Sequence, residues 1–173
     1  MTASIAIFGS AFNPPSLGHK SVIERLTHFD KVILLPSYSH AWGKQMLDYD
    51  ARCNLVEAFI EDLSQDNLEL STLERDMAIG DEAITTFAVL EALEGLYPRT
   101  HLTFVIGPDN FLNFGKFYKA DEITQRWQVL ACPETVKVRS TQIRECIVNS
   151  REISHLTTSS VAKMLCENDW YSK

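Results

Sequence analysis

The stretch Ile5-Ala6-Ile7-Phe8-Gly9-Ser10-Ala11-Phe12-Asn13-Pro14-Pro15-Ser16-Leu17-Gly18-His19 runs from an apolar strand, through a turn of small residues, to the mouth of an amphipathic helix. Backbone N–H groups, the positive end of a helix and the His19 imidazole are thereby brought to one point, the arrangement a triphosphate needs. Gly9 and Ser10 lack bulk, so a ligand can approach the backbone there. Pro14 and Pro15 stiffen the loop. Gly18 leaves room beside His19. Ser16 and His19 are three residues apart and share a face if the helix begins near Ser16. The Ser16 hydroxyl then has two readings, a donor to phosphate or the N-cap of the helix, and they partly exclude each other.

Away from this stretch, strand and helix signals alternate. Residues 4–8, 31–35, 68–70, 101–106 and 127–132 read as strands. Residues 17–29, 81–96, 140–148 and 159–166 read as helices. A further helix carries Leu55, Val56, Phe59, Ile60 and Leu63, with Asp48 or Asp50 as its cap. This order predicts an α/β fold, a Rossmann-like parallel sheet with helices on both faces, with residues 1–173 forming a single domain. In such sheets ligands gather beyond the carboxyl ends of the strands. Three segments fall there: residues 9–19, residues 37–44 with Lys44, and Gly107-Pro108-Asp109. Neither G-x-G-x-x-G nor G-x-x-x-x-G-K-[ST] occurs, which counts against a hydride-transferring dehydrogenase and a P-loop ATPase.

The 173 residues are 45% hydrophobic and 23% charged, a globular composition, and the net charge of −7 argues against broad binding to nucleic acid or to an anionic membrane. Cys53, Cys132, Cys146 and Cys166 form no C-x-x-C pair and no Cys/His cluster, so neither zinc nor a disulfide framework is expected. With no signal-peptide pattern and no apolar run near membrane-spanning length, a cytoplasmic protein is expected.

The segment from Phe8 to His19 resembles the first motif of the nucleotidyltransferase superfamily marked by (H/T)-x-G-H, and is most similar to the nicotinate-mononucleotide adenylyltransferases. That family's second motif, I-S-S-T-x-I-R, is matched by Val138-Arg139-Ser140-Thr141-Gln142-Ile143-Arg144. Gly107-Pro108-Asp109 resembles its G-x-D, Phe117-Tyr118 its W-Y pair, and residues 156–171 its closing helix. The pairing of the first two motifs is the specific part.

The resemblance implies an adenylyltransferase that joins a nicotinate or nicotinamide mononucleotide to the AMP of ATP and releases pyrophosphate, in NAD biosynthesis. His19, Arg144 and Ser16 would be catalytic. Gly9, Ser10, Phe12, Gly18, His19, Gly107, Asp109, Ser140, Thr141 and Arg144 would bind the nucleotide. Lys44, Thr85, Phe117 and Tyr118 would bind the mononucleotide. Mg²⁺ would arrive with ATP, without a protein cage. The chain also departs from the family pattern. Ser16 stands where His or Thr is usual, which forfeits a charge-assisted contact of about 1.5–3 kcal/mol if buried. Ala11 replaces a common Thr, Asn13 a common Asp, and Arg139 a small residue. Two alternatives therefore stay open: a related nucleotidyltransferase with another phosphate acceptor, or a catalytically weakened homologue that binds nucleotide.

Overall fold

The computed structural model describes residues 1–39 and 46–172. Its centre is a five-stranded, all-parallel sheet. The strands are β1 (Ser4–Ser10), β2 (Lys31–Pro36), β3 (Leu68–Leu70), β4 (His101–Ile106) and β5 (Gln128–Ala131), in the order β3-β2-β1-β4-β5. The helices are α1 (Leu17–Ile23), α2 (Tyr49–Asp62), α3 (Leu73–Met77), α4 (Thr86–Leu96), α5 (Pro108–Leu112), α6 (Ala120–Arg126), α7 (Ser140–Val148) and α8 (Ser159–Glu167).

The inner strands are apolar over most of their length because both of their faces are covered. Successive side chains alternate between two apolar layers. Ala6, Phe8, Val32, Leu34 and Val105 face α1, α2, α7 and α8, packing with Val22, Leu55, Phe59, Ile143, Val161 and Leu165. Ile5, Ile7, Ile33, Leu35, Leu102, Phe104 and Ile106 face α4 and α6, packing with Phe87, Leu90, Leu93 and Ile123. The α/β architecture with helices on both faces is as the residue pattern predicts.

Several element boundaries differ from expectation: β1 runs past Phe8 to Ser10, β2 past Leu35 to Pro36 and α8 past Cys166 to Glu167. The helix expected over 17–29 is α-helical only to Ile23, then tightens into a 3-10 turn, Glu24–Leu26. The Asn67 side-chain amide donates to the Leu26 and Phe29 carbonyls and so satisfies groups that a longer helix would have bonded itself. The helix expected over 81–96 begins at Thr86, because the Thr85 hydroxyl caps it by accepting from the Ala88 N–H. The strand expected over 127–132 is confined to Gln128–Ala131. Asp48, rather than Asp50, caps α2. Sequence reasoning passes over the short helices α3, α5 and α6, whose periodicity is too brief to register.

Strand order reverses between β1 and β4. The connections leaving their carboxyl ends therefore diverge, and the crevice between these is where this topology places a ligand.

Candidate active site

A cleft of about 550 Å³ opens at that crevice. It is lined by Gly9 and Ser10 at the end of β1, by Phe12 and Ser16 from the loop that follows, and by Gly18 and His19 of α1. Gly107 and Asp109 come from the end of β4, and Ser140, Thr141 and Arg144 from α7. Every residue expected to be catalytic or nucleotide-binding thus reaches one cavity. Asn13, Asn110, Glu134, Val138 and Arg139 share its wall.

His19 lies at the centre. The Ser16 N–H donates to its Nδ1 at 3.0 Å, so Nδ1 carries no proton and the neutral ring bears its hydrogen on Nε2. That Nε2 lies 3.0 Å from the Ser10 Oγ. The ring lines the cleft while it packs against Phe12, with centroids 4.8 Å apart. Burial lowers its pKa from 6.5 to about 4. His19 is therefore a neutral N–H donor at physiological pH. Phe12 is fully buried beneath it with a left-handed backbone (φ 46°), a conformation held by surrounding structure.

Ser16 is the N-cap of α1 and is 1% exposed. Its hydroxyl lies 3.2 Å from the Val138 carbonyl, to which it donates, and 3.1 Å from His19 Nδ1. It is turned toward these partners inside the wall. Gly18 makes room for the Val138 backbone: a Cβ at position 18 would fall well inside contact distance of the Val138 carbonyl oxygen. The room that Gly18 leaves beside His19 is thus filled by the Val138 backbone. Two more bonds fasten the same halves together. The Ser140 hydroxyl donates to the Pro14 carbonyl at 2.6 Å, and Arg144 Nη1 donates to the Asn13 carbonyl at 2.7 Å. Arg144 Nη2 also reaches Thr141 Oγ1 at 3.2 Å.

Of the residues expected to meet the mononucleotide, Thr85, Phe117 and Tyr118 are not among the described residues that line the cleft. Thr85 caps α4. Phe117 packs against Phe104 and Phe114. Tyr118 is 60% exposed and stands edge-on to Phe87. Lys44 lies outside the described residues. Asp109 is paired with Arg139, at 2.6 Å.

Two contributors escape sequence reasoning. Arg52, 1% exposed, donates to the Leu47, Ala11 and Ser37 carbonyls, each at 2.8 Å. It ties the phosphate-side loop to both flanks of residues 40–45. The readable signal was an arginine on the same face of α2 as Val56 and Phe59, since a charge there must be satisfied by the fold. Tyr171 donates from its hydroxyl to Asn13 Oδ1 at 2.6 Å, which nothing in local sequence foretells.

Glu74 accepts the Tyr38 N–H at 2.9 Å, at the exit from β2, and burial raises its pKa from 4.5 to about 7. Its linkage to stability opposes that of His19. The His19 contribution is complete above about pH 6.5 and is lost as pH falls toward 4. The Glu74 contribution is complete below about pH 4.5 and is lost as pH rises through 7. Urea unfolding between pH 4.5 and 6.5 should accordingly show a nearly level stability for the parent chain and a rising one for Glu74→Gln. Identical slopes in the two proteins would rule out the raised Glu74 carboxyl.

The sequence profile of the cytidylyltransferase-like family matches residues 7–146. The chain belongs to that family. Among cytidylyltransferase-like relatives, the nicotinate-nucleotide adenylyltransferase of Bacillus subtilis (strain 168) is 26% identical over 190 residues, spanning 96% of this chain and 97% of its own. A nicotinate-nucleotide adenylyltransferase candidate of Aliarcobacter butzleri is 30% identical over 124 residues, 69% of this chain and 65% of its own. A crystal structure of another such candidate, from Vibrio parahaemolyticus, superposes with a TM-score of 0.89 at 52% identity, covering 98% of this chain and 96% of that one. The Plasmodium falciparum nicotinic acid mononucleotide adenylyltransferase complexed with NaAD shares the fold at 13% identity, with a TM-score of 0.80 over 98% of this chain and 97% of its own. The cytidylyltransferase-like chain is thus a nucleotidyltransferase by family and by fold. None of its described helices is long and apolar enough to cross a membrane.

Proposed function

We propose that this chain transfers AMP from ATP to nicotinate mononucleotide, releasing pyrophosphate, as a step toward NAD. The observation that carries this reading is the convergence of the two motif segments, residues 9–19 and 138–144, on one cleft at the strand-order switch. The full-length likeness to chains named for that activity supports it.

In this reaction an oxygen of the mononucleotide phosphate attacks the α-phosphorus of ATP. The bond from that phosphorus to the bridging oxygen breaks, and pyrophosphate leaves. No protein nucleophile is required, so catalysis is positioning and charge stabilisation. The Nε2–H of His19 exchanges Ser10 for a phosphate oxygen and donates to it as charge builds. Arg144, already oriented by Asn13 and Thr141, offers its fork to the β- and γ-phosphates. Ser140, Thr141 and the N–H groups opening α7 receive the same oxygens. Gly107 and Asp109 take the adenosine ribose, and Ser16 acts by holding His19 and Val138 in place. Lys44, Thr85, Phe117 and Tyr118 are assigned to the mononucleotide end by family resemblance.

Mg²⁺ belongs to the same reading, as the counterion that neutralises the triphosphate. Among the described residues no three His, Cys, Asp or Glu side chains converge as a ligand set. The acidic groups Asp109 and Glu134 both face Arg139. That donor set suits a cation carried in by the phosphates and water. A cytosolic enzyme with ATP and a small mononucleotide as partners completes the picture.

Purified protein, ATP and Mg²⁺ with a panel of acceptors provides the test. Pyrophosphate release should be fastest with nicotinate mononucleotide, slower with nicotinamide mononucleotide, and negligible with 4′-phosphopantetheine. Faster release with another acceptor reassigns the substrate, and release with none removes the enzymatic reading.

A further inference from the structure

Arg139 stands where the resembling family carries a small residue, and the structure shows what this larger side chain does. From the residue preceding α7 it reaches the residues beyond β4 and β5, with Nη1 2.6 Å from Asp109 Oδ2 and Nη2 3.6 Å from Glu134 Oε2. All three side chains line the cleft. Its backbone is fixed, because the Arg139 N–H donates to Gln142 Oε1 at 2.8 Å, while its side chain is 53% exposed.

Charge in the cleft makes this pairing consequential. Among the described lining residues, Asp109 and Glu134 cancel Arg139 and Arg144, and His19 is neutral. With Arg139 held by carboxylates, Arg144 is the one described lining cation left to meet phosphate. An exposed guanidinium–carboxylate pair is weak, and a polyphosphate is a stronger bidentate partner for the same fork. Arg139 also directly precedes Ser140 and Thr141 and lies five positions before Arg144, at the same helix end.

Resting on the nucleotide reading above, we propose that Arg139 is a second triphosphate-binding guanidinium, which leaves Asp109 for the phosphates when the nucleotide enters. Its departure frees the Asp109 carboxylate to accept from ribose hydroxyls. One side-chain exchange thus prepares both halves of the ATP site, and the ion pair is the resting position of a substrate ligand.

The test is calorimetric binding of inorganic triphosphate, with and without Mg²⁺, beside steady-state kinetics. Arg139→Gln should bind triphosphate about tenfold more weakly and raise KM for ATP by a similar factor, leaving KM for nicotinate mononucleotide unchanged. Asp109→Asn should move the other way and bind inorganic triphosphate a few-fold more tightly, since it releases the guanidinium; this gain cannot come from misfolding. Triphosphate binding unaltered in both variants overturns the proposal, as does weakening in both. A parent chain that binds triphosphate but turns over no acceptor removes the enzymatic reading and leaves the Arg139 comparison intact. A parent chain that binds no triphosphate ends both.

Discussion

His19→Ala should lower kcat for adenylyl transfer by about 10²–10³-fold, the usual cost of deleting one pre-aimed donor to a charge that develops in the transition state. KM for nicotinate mononucleotide should stay near that of the parent, because the lost contact is to the nucleotide phosphates. His19→Gln, with an amide N–H near the same place, should recover part of the rate. The neutral ring adds a second signature. With its pKa near 4 in the free protein, His19 does not titrate near neutrality, so kcat/KM should show no inflection near pH 6.5 that vanishes in His19→Ala. A variant with near-parental kcat would remove His19 from the chemistry. A lost inflection near 6.5 would mean the imidazole works as a cation.

Gly18→Ala should be nearly as damaging through geometry alone. The added methyl cannot coexist with the Val138 carbonyl, so either α1 or the segment leading into α7 must retreat. Overpacking of this kind costs about 1–3 kcal/mol, which lowers the melting temperature by roughly 2–12 °C for a chain of this size. The larger effect is on turnover. Shifting Ser140 and Arg144 by about an ångström relative to His19 should cost on the order of 10²-fold in kcat/KM for ATP. Unchanged melting and turnover would show that the two segments are not rigidly coupled.

The apolar runs of β1, β2 and β4 made the sheet legible, because strands buried on both faces carry few competing signals. The motif pair 9–19 and 138–144 likewise pointed to one cleft. What escaped depends on distance in space. Thr85 reads as a substrate neighbour by resemblance, yet its hydroxyl is spent on capping α4. Ser16 offers a hydroxyl in sequence, and only the fold shows it turned toward Val138. Arg139 was visible as a departure, but its partner Asp109 lies thirty positions away and its consequence needed coordinates. Arg52 hid in plain sight on an apolar helix face.

Much of the hold on residues 13–17 comes from the far end of the chain. Arg144, Ser140, Leu156, Thr157 and Tyr171 each bond to this loop. As the polypeptide emerges from the ribosome, β1, β2 and β3 can pair early and Arg52 and Leu47 can hold Ala11 and Asn13, but residues 14–17 wait for their partners at Val138, Ser140, Leu156 and Thr157 until the last quarter of the chain arrives. Closing so long a loop is entropically expensive and slow. The nascent sheet therefore precedes its binding function: the first motif to be translated is the last to acquire its working shape, and an incomplete chain carries the signature without the pocket.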